Sequence, residues 1–448
     1  MYWNYLKSGF RNLYRNKLFS VINITGFSLG LAVFFLIVLW INYEVGFDRF
    51  HKNAKNIYRV VAEFDQNGIV DNFANTPAPL GPALKEEFPN VIEYTRCAQI
   101  EKNFIISGNN QFWENLFFAD EGIFKVFSLK LRAGNTANIL SSPSNVIISQ
   151  RVAEKYFRDE NPIGKTISIG INNQSTFTIA GVLEDVPSNS QFKIDFLLPF
   201  NNLSRNSGWD IWNYTTYILV DKQNDYKSLE SKLQWFTKMY QLDPTTKLHL
   251  QPFVNIHLFS NLRNDLSENV YYPKLILYVA IAIIILLLAS INFINLSLAK
   301  STLRNKEIGI RKVIGANKKQ LRFQFIGESF IITLISFLIS IPFIYYFLPV
   351  FNQFVNKNIA LSQFLNYGSI AFILVLLLVL TLVNGLYPAS VLSSGNPAGI
   401  LRGNLSIKQN SIKFVRQSFI VFQFVVAIFF ISGTLIIKSQ LNFIGQKT

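Results

Sequence analysis

The sequence predicts a membrane protein with an α-helical transmembrane bundle of five spans and a large α+β extracytoplasmic domain inserted between spans 1 and 2. Five long runs contain no charged residue, and at about 1.5 Å per residue each can cross a hydrocarbon core about 30 Å thick. Between the first two runs lies a long segment with the balanced charges of an ordinary globular domain. The five runs are residues 21–41, 275–299, 329–350, 368–388 and 418–437.

The positive charge is concentrated beside these apolar runs. Residues 1–20, 299–324 and 389–416 hold 16 of the 42 Lys and Arg residues and a single acidic residue, so they account for the net charge of +15. Because basic flanks stay on the cytoplasmic side, we expect these three stretches in the cytoplasm. They suit anionic lipid headgroups, whereas a protein that binds nucleic acid would carry basic residues on a face of its globular domain.

Span 1 is predicted to be an uncleaved anchor, because its apolar run is too long for a signal peptide and no small-residue cleavage site follows it. The expected segments are a cytoplasmic N-terminus at 1–20, span 1 at 21–42, the exterior domain at 43–273, span 2 at 274–299, a cytoplasmic loop at 300–322, span 3 at 323–350, a short exterior loop at 351–367, span 4 at 368–388, a cytoplasmic linker at 389–416, span 5 at 417–437 and an exterior tail at 438–448.

The exterior domain mixes strand and helix patterns and is therefore predicted to be α+β, with two subdomains. Its one cysteine, Cys97, falls in a predicted strand, where a lone cysteine behaves as a small buried hydrophobic residue. One cysteine also excludes a secreted disulfide scaffold. The pattern predicts strands at 57–64, 91–99, 145–149, 166–171, 176–183, 194–198 and 215–220, and helices near 83–88, 150–157 and 226–239.

The sequence offers no catalytic, cofactor-binding or metal-binding residues. Gly164-Lys165-Thr166 has the ending of a phosphate-binding P-loop, but Asp159 replaces the required glycine and a β-rich stretch follows, so a turn before a strand is predicted. The three histidines have no metal-ligand spacing, and no nucleophile-elbow motif occurs. We therefore predict a protein that is not itself an enzyme.

In the cytoplasmic loop at 300–322 the residues follow a pattern that the basic flank of a membrane span does not require. Ile310, Val313, Ile314 and Leu321 recur near helical spacing, and Lys and Arg residues occupy the other faces. This predicts a short amphipathic helix along the cytoplasmic surface. Such a helix either rests on lipid or docks by its apolar side chains into a groove of a cytoplasmic partner.

The loop also carries a specific motif: Lys306, Glu307, Ile308, Gly309, Ile310, Arg311, Lys312, Val313, Ile314, Gly315 and Ala316. This stretch resembles the K-E-I-G-I-R-K-V-x-G-A signature of FtsX/MacB-like ABC transporter permeases, which follows their second span. The similarity continues at 289–297, 324–329 and 387–397. In the exterior segment, residues 47–54, 57–60, 161–166, 177–182 and 187–190 resemble the MacB-type periplasmic core domain.

The resemblance implies a non-catalytic permease subunit in a bacterial inner membrane, with its exterior domain in the periplasm. ATP would be bound and hydrolysed by a separate cytoplasmic ATPase dimer, onto which residues 306–316 dock. Gly309 and Gly315 would allow close approach and a tight turn, and Glu307 would form a specific salt bridge. The function implied is efflux or extraction of a substrate, and the alternative is an FtsX-like regulatory scaffold that activates periplasmic cell-wall hydrolases. Further partners implied are a second permease half or a second copy of the chain, a periplasmic adaptor or outer-membrane protein, and membrane lipids, with no nucleic acid.

Two further expectations concern the spans. Gly26 and Gly30 in span 1 have the small-xxx-small spacing of close helix packing. The family unit has four spans and this chain has a fifth, whose surroundings at 411–441 repeat the plan of 11–42. Either the chain is the front half of a two-repeat permease, or the fifth span is accessory and its likeness to the first is that of any membrane helix with basic flanks.

Overall fold

The chain divides into two compact units, which are described separately. One contains the long apolar helices, and the other, Asn42–Ile276, contains the strands. The computed structural model describes residues 11, 14, 17–66, 68–107, 110–170, 175–203, 208–221, 226–266, 269–315, 317–364, 366–393 and 408–445.

Ten α-helices occur among the described residues, and five of them are long and apolar enough to cross a membrane. In chain order the helices are α1 Lys17–Val45, α2 Leu80–Glu87, α3 Ile123–Val126, α4 Gln150–Phe157, α5 Tyr226–Met239, α6 Ile256–Phe259, α7 Tyr272–Val313, α8 Lys318–Val355, α9 Tyr367–Ser393 and α10 Lys408–Gly445. The five candidate spans are α1, α8 and the apolar parts of α7, α9 and α10.

The strands that the structure describes in the exterior unit, twelve in number, form one mixed sheet. They are β1 Ile57–Gln66, β2 Ile69–Phe73, β3 Thr76–Pro77, β4 Val91–Ser107, β5 Asn110–Ala119, β6 Leu131–Ala133, β7 Asn145–Ser149, β8 Thr166–Ile169, β9 Ser175–Leu183, β10 Phe196–Pro199, β11 Trp212–Val220 and β12 Thr246–Pro252. The main order is β12-β1-β11-β4-β5-β10-β7-β9-β6, with β2 on β1, β3 on β11, and β8 between β4 and β9. The pairs β5/β10 and β7/β9 are parallel, and the others are antiparallel.

Two helix-covered cores lie along this sheet. In the first, α2 and α5 cover β1, β11 and β12, and α5 buries Leu229, Leu233 and Phe236 at helical spacing. In the second, α4 covers β7, β9 and β10, and the N-cap Ser149 accepts a hydrogen bond from the Val152 backbone amide at 3.2 Å. An aromatic cluster lies under the middle of the sheet.

All seven strands and three helices that the sequence predicts in this unit are present, with ends shifted by up to three residues, except that β4 runs eight residues past its predicted end to Ser107. The strand predicted at 166–171 ends at Ile169, and Ile171 lies outside the described residues. β5 is not predicted by the sequence because its polar and aromatic residues do not alternate. The two expected subdomains are not separated: residues 42–276 form one compact unit on one sheet, with two helix-covered cores along it.

Cys97 is fully buried in β4, as predicted, and burial raises the pKa of its thiol. Gly164 has a φ of +83° in the turn that precedes β8, so the P-loop-like residues form the predicted turn and strand. Lys165 pairs with the neighbouring Glu160.

The prediction of a separate short helix in the 300–322 loop was wrong. Residues 300–313 continue α7, which runs without a break from Tyr272 to Val313. The change from apolar to charged residues marks where a lipid core would end, but Ala, Leu, Lys, Arg and Glu are all good helix formers and no proline intervenes. The helix ends only where Gly315 adopts a φ of +101°.

Candidate functional site

The family-like motif of the sequence ends in the turn between α7 and α8. Gly315 takes a left-handed backbone conformation that a residue with a Cβ adopts only with strain. Two residues later Asn317 caps α8, because its side chain accepts the Gln320 backbone N–H at 2.9 Å and the Gln320 side chain accepts the Asn317 N–H at 3.1 Å. The direction of the chain is therefore fixed on both sides of the turn.

Two apolar side chains are exposed at this turn. Val313 is 65% exposed as the last residue of α7, and Ile314 is 80% exposed in the turn itself. Leu321, expected on the same apolar face, is instead buried on α8 beside Phe325. The turn thus presents an apolar tip next to the exposed Lys318 and Lys319.

The other motif residues have defined places in the backbone. The structure puts all but Ala316 on the last two turns of α7, where it describes their backbone but not their side chains. Ala316 is not among the described residues. The expected roles of Glu307 as a salt-bridge partner and of Gly309 in close approach therefore remain predictions. The α7 residues are Lys306, Glu307, Ile308, Gly309, Ile310, Arg311 and Lys312.

Gly26 and Gly30 face α7 within the apolar unit. A Cβ added at Gly30 would lie 2.5 Å from the Ala289 Cβ, and one added at Gly26 would lie 3.5 Å from the Asn292 Nδ2. Phe27 and Phe293, beside the Gly26 contact, have ring centroids 5.7 Å apart. The backbones of α1 and α7 approach closely at Gly30, where a larger side chain has no room.

The structure also brings together two motif stretches of the exterior unit that are far apart in sequence. Asp48, at a φ of +57°, accepts hydrogen bonds from the Ser190 Oγ at 2.7 Å and the Gln191 N–H at 3.1 Å. The Asp48 N–H donates to the Asn189 carbonyl at 2.9 Å. Burial raises the pKa of the Asp48 carboxyl to about 7, although the two donated hydrogen bonds act in the opposite direction.

His51, in the same segment, lies in an aromatic pocket. Its Nδ1 accepts the Ser128 N–H at 3.2 Å, and the rings of Phe127 and Phe253 lie within 5.6 Å of the imidazole centroid. Burial among these rings lowers the pKa of His51 to about 4, so the ring is neutral near pH 7.

Two buried polar contacts, one of them an ion pair, were missed by sequence reasoning. Glu44, in the last turn of α1, contacts His257 of α6, and the Phe47 ring stacks on that imidazole with centroids 3.6 Å apart. Arg59, which is fully buried on β1, pairs with Asp265, and its guanidinium also donates to Ser260 at 2.9 Å. The one available signal for Glu44 was its position as the first acidic residue after a long apolar run.

These buried polar groups are better suited to stabilising the fold than to catalysis. Each carboxylate or imidazole just described is buried and has at least one hydrogen-bond or ion-pair partner. Within the described part of the chain, no group of three His, Cys, Asp or Glu side chains has the geometry to hold a metal ion. The α7–α8 turn differs from these buried groups, because its apolar side chains Val313 and Ile314 are exposed.

Comparison with known families gives two matches. Residues 20–234 match the model of the MacB-like periplasmic core domain, and residues 279–397 match that of the FtsX-like permease C-terminal domain. The second range includes α7 from its early turns, the α7–α8 turn, α8 and α9.

Individual relatives are more distant. The macrolide export ATP-binding/permease protein MacB of Aggregatibacter actinomycetemcomitans is 28% identical over 241 residues, which cover 52% of this chain and 35% of that protein. The uncharacterized ABC transporter permease YknZ of Bacillus subtilis is 28% identical over 226 residues, covering 50% of this chain and 54% of that one. The chain thus spans about half or less of the length of these curated relatives. The crystal structure of the periplasmic region of MacB from Actinobacillus actinomycetemcomitans is 18% identical, with a TM-score of 0.33 over 47% of this chain and 92% of that one.

Proposed function

The chain belongs to the FtsX/MacB-like family of ABC transporter permeases, and we propose that it is a permease subunit whose α7–α8 turn docks on a separate cytoplasmic ATPase. The ATPase binds and hydrolyses ATP, and its closure displaces the turn. The helices of the permease pass this movement on to the MacB-like domain, which drives efflux or extraction of a substrate outside the membrane.

The observation that carries the proposal is the continuation of α7 beyond its apolar part. The candidate span ends at Ala299 and the helix ends at Val313, about 20 Å further along its axis. Because every backbone N–H in this segment is bonded within the helix, the segment is stiff, and a displacement of its end displaces the span.

The exposed tip of the turn supports the choice of docking residues. Val313 and Ile314 present apolar surface that a protein groove can cover, and Lys318 and Lys319 stand beside them for pairing with partner carboxylates. The left-handed Gly315 and the capping box of Asn317 restrict the backbone at those two residues, which lowers the entropy lost on docking.

The test uses the full chain co-expressed with the ATPase subunit that co-purifies with it. Val313→Asp and Ile314→Asp should lower the ATPase activity stimulated by the permease by at least about tenfold, because each places a carboxylate in an apolar interface. The matched control is Phe354→Asp, since Phe354 is 86% exposed near the other end of α8. Thermal melting of each variant establishes that the bundle is folded.

Full stimulation in both turn variants would refute the docking role of the turn. Loss of stimulation in the Phe354 variant as well would show that the assay reports general damage to the bundle. The regulatory-scaffold alternative requires the same turn, and no feature of the described residues favours it over transport.

A further inference from the structure

Buried polar side chains interrupt the apolar interior of the helical unit. Asn23 on α1, Thr333 on α8, and Thr381 and Asn384 on α9 are each no more than 3% exposed. The Asn23 Oδ1, the Asn295 Oδ1 on α7, both threonine hydroxyls and both amide atoms of Asn384 are buried without a hydrogen-bond partner among the described residues. They come from four different helices.

The contacts between α1 and α7 place two of these residues at one depth. Gly30 lies against Ala289 and Gly26 against Asn292, so the two helices run antiparallel and their residues pair in a fixed register. Asn23 is three residues before Gly26, and Asn295 is three residues after Asn292. At about 1.5 Å of rise per residue, Asn23 and Asn295 therefore lie at the same level.

Thr333 on α8 and Thr381 on α9 also lie at one depth. A Cβ added at Gly385 would lie 3.2 Å from the Ser329 Oγ, so this face of α9 packs on α8. Thr381 is four residues before Gly385, and Thr333 is four residues after Ser329. In an antiparallel pair these steps bring both threonines to one level, with Asn384 one turn away on the same face of α9.

A third contact joins the two helix pairs. The Ser336 hydroxyl of α8 lies 3.4 Å from the Ile24 carbonyl oxygen of α1. Ile24 adjoins Asn23, and Ser336 is about one turn from Thr333. The five side chains, Asn23, Asn295, Thr333, Thr381 and Asn384, therefore form a single polar layer across α1, α7, α8 and α9, little more than one helical turn thick.

From this layer we infer a binding site for a small cluster of water molecules inside the membrane bundle. A buried amide or hydroxyl without a partner costs about 1–3 kcal/mol, and lipid tails offer no hydrogen bond in exchange. Water both donates and accepts, so it satisfies the Asn384 amide and the threonine hydroxyls together, whereas a metal ion would leave the amide N–H groups unpaired. Buried waters characteristically make two to four bonds to such polar groups.

The first test measures whether water reaches the layer in the full chain. Thr333→Cys and Thr381→Cys are treated in membranes with a small charged methanethiosulfonate reagent added to either face. The matched control is Leu377→Cys, one turn from Thr381 on the same buried face of α9. Because a thiol in a dry apolar site stays protonated and inert, the two layer variants should react at least about tenfold faster than the control. Because Cys97 is fully buried and should not react, the unsubstituted chain serves as the blank.

The second test does not depend on the cysteine variants folding. Thr333→Val and Thr381→Val should each lower the melting temperature of the full chain by about 2 °C or more, because each removes hydrogen bonds to water. Thr434→Val is the control, since the Thr434 hydroxyl donates to the Phe430 carbonyl of its own helix at 2.8 Å. Cysteines that react no faster than the Leu377 control, or valine variants that melt higher than the native chain, would overturn the inference by showing a dry layer.

Discussion

Two buried groups near the start of the exterior unit should make its stability respond to pH in opposite directions. Burial raises the pKa of Asp48 from 3.8 to about 7 and lowers that of His51 from 6.5 to about 4. The unfolded chain titrates both groups near their ordinary values. Each difference in pKa is therefore a contribution to the free energy of unfolding that changes with pH.

The two contributions have opposite signs. From pH 3.8 to about 7 the folded state keeps the Asp48 proton that the unfolded state has lost, so the free energy of unfolding falls with rising pH, by about 4 kcal/mol in total. From pH 6.5 down to about 4 the unfolded state binds a proton on His51 that the folded state does not, so the free energy falls with decreasing pH, by about 3 kcal/mol. Between about pH 4 and 6.5 the two slopes largely cancel.

Single substitutions should separate these slopes. Asp48→Asn retains an acceptor for Ser190, and the unfolding free energy of the variant should rise by about 3 kcal/mol between pH 4 and 6.5. His51→Gln retains an acceptor for the Ser128 N–H, and its unfolding free energy should fall over the same interval. Urea unfolding of the 42–276 fragment, followed by tryptophan fluorescence at closely spaced pH values, measures both. Slopes of the same sign in the two variants would refute the assignment of these pKa shifts to burial.

Two other pairs of substitutions test the packing. Gly30→Ala should lower the melting temperature of the full chain, because the added Cβ would lie 2.5 Å from a side chain of α7, whereas Gly433→Ala, with no atom within 4 Å, should leave it unchanged or raise it slightly. Arg59→Met should lower the unfolding free energy of the exterior unit by about 3–5 kcal/mol, because it leaves Asp265 almost buried without its cation. Arg263→Met breaks an exposed ion pair and should change that free energy by less than about 1 kcal/mol. Equal effects within either pair would contradict the contacts described.

The spans could be predicted from sequence because a membrane helix needs a run of apolar residues as long as the hydrocarbon core is thick. Such a run is directly visible in the sequence. The course of α7 beyond Ala299 could not be predicted. Charged residues after an apolar run show where lipid would end, but they are compatible with continued helix. The resemblance implied a tight turn involving Gly309 and Gly315, and α7 ends beside Gly315, whereas Gly309 lies within the helix.

The buried charges were beyond prediction for a different reason. Glu44 and His257 are 213 residues apart, and the composition gives no indication of which polar side chains meet inside the fold. Arg59 lies on β1, and nothing in the local pattern of that strand indicates that an arginine there is buried and pairs with Asp265. Pairing of this kind depends on tertiary contacts that no local pattern records.

The length of β4 has a consequence for how the exterior unit behaves under load. Its first half pairs with β11 from Val91 to Cys97, and its second half pairs with β5 as far as Ser107. The two cores therefore share one continuous strand, and neither can separate from the other without rupturing backbone hydrogen bonds along it. We therefore expect a force applied at one end of the sheet to be carried along this strand to the other end, so that the unit unfolds as one body.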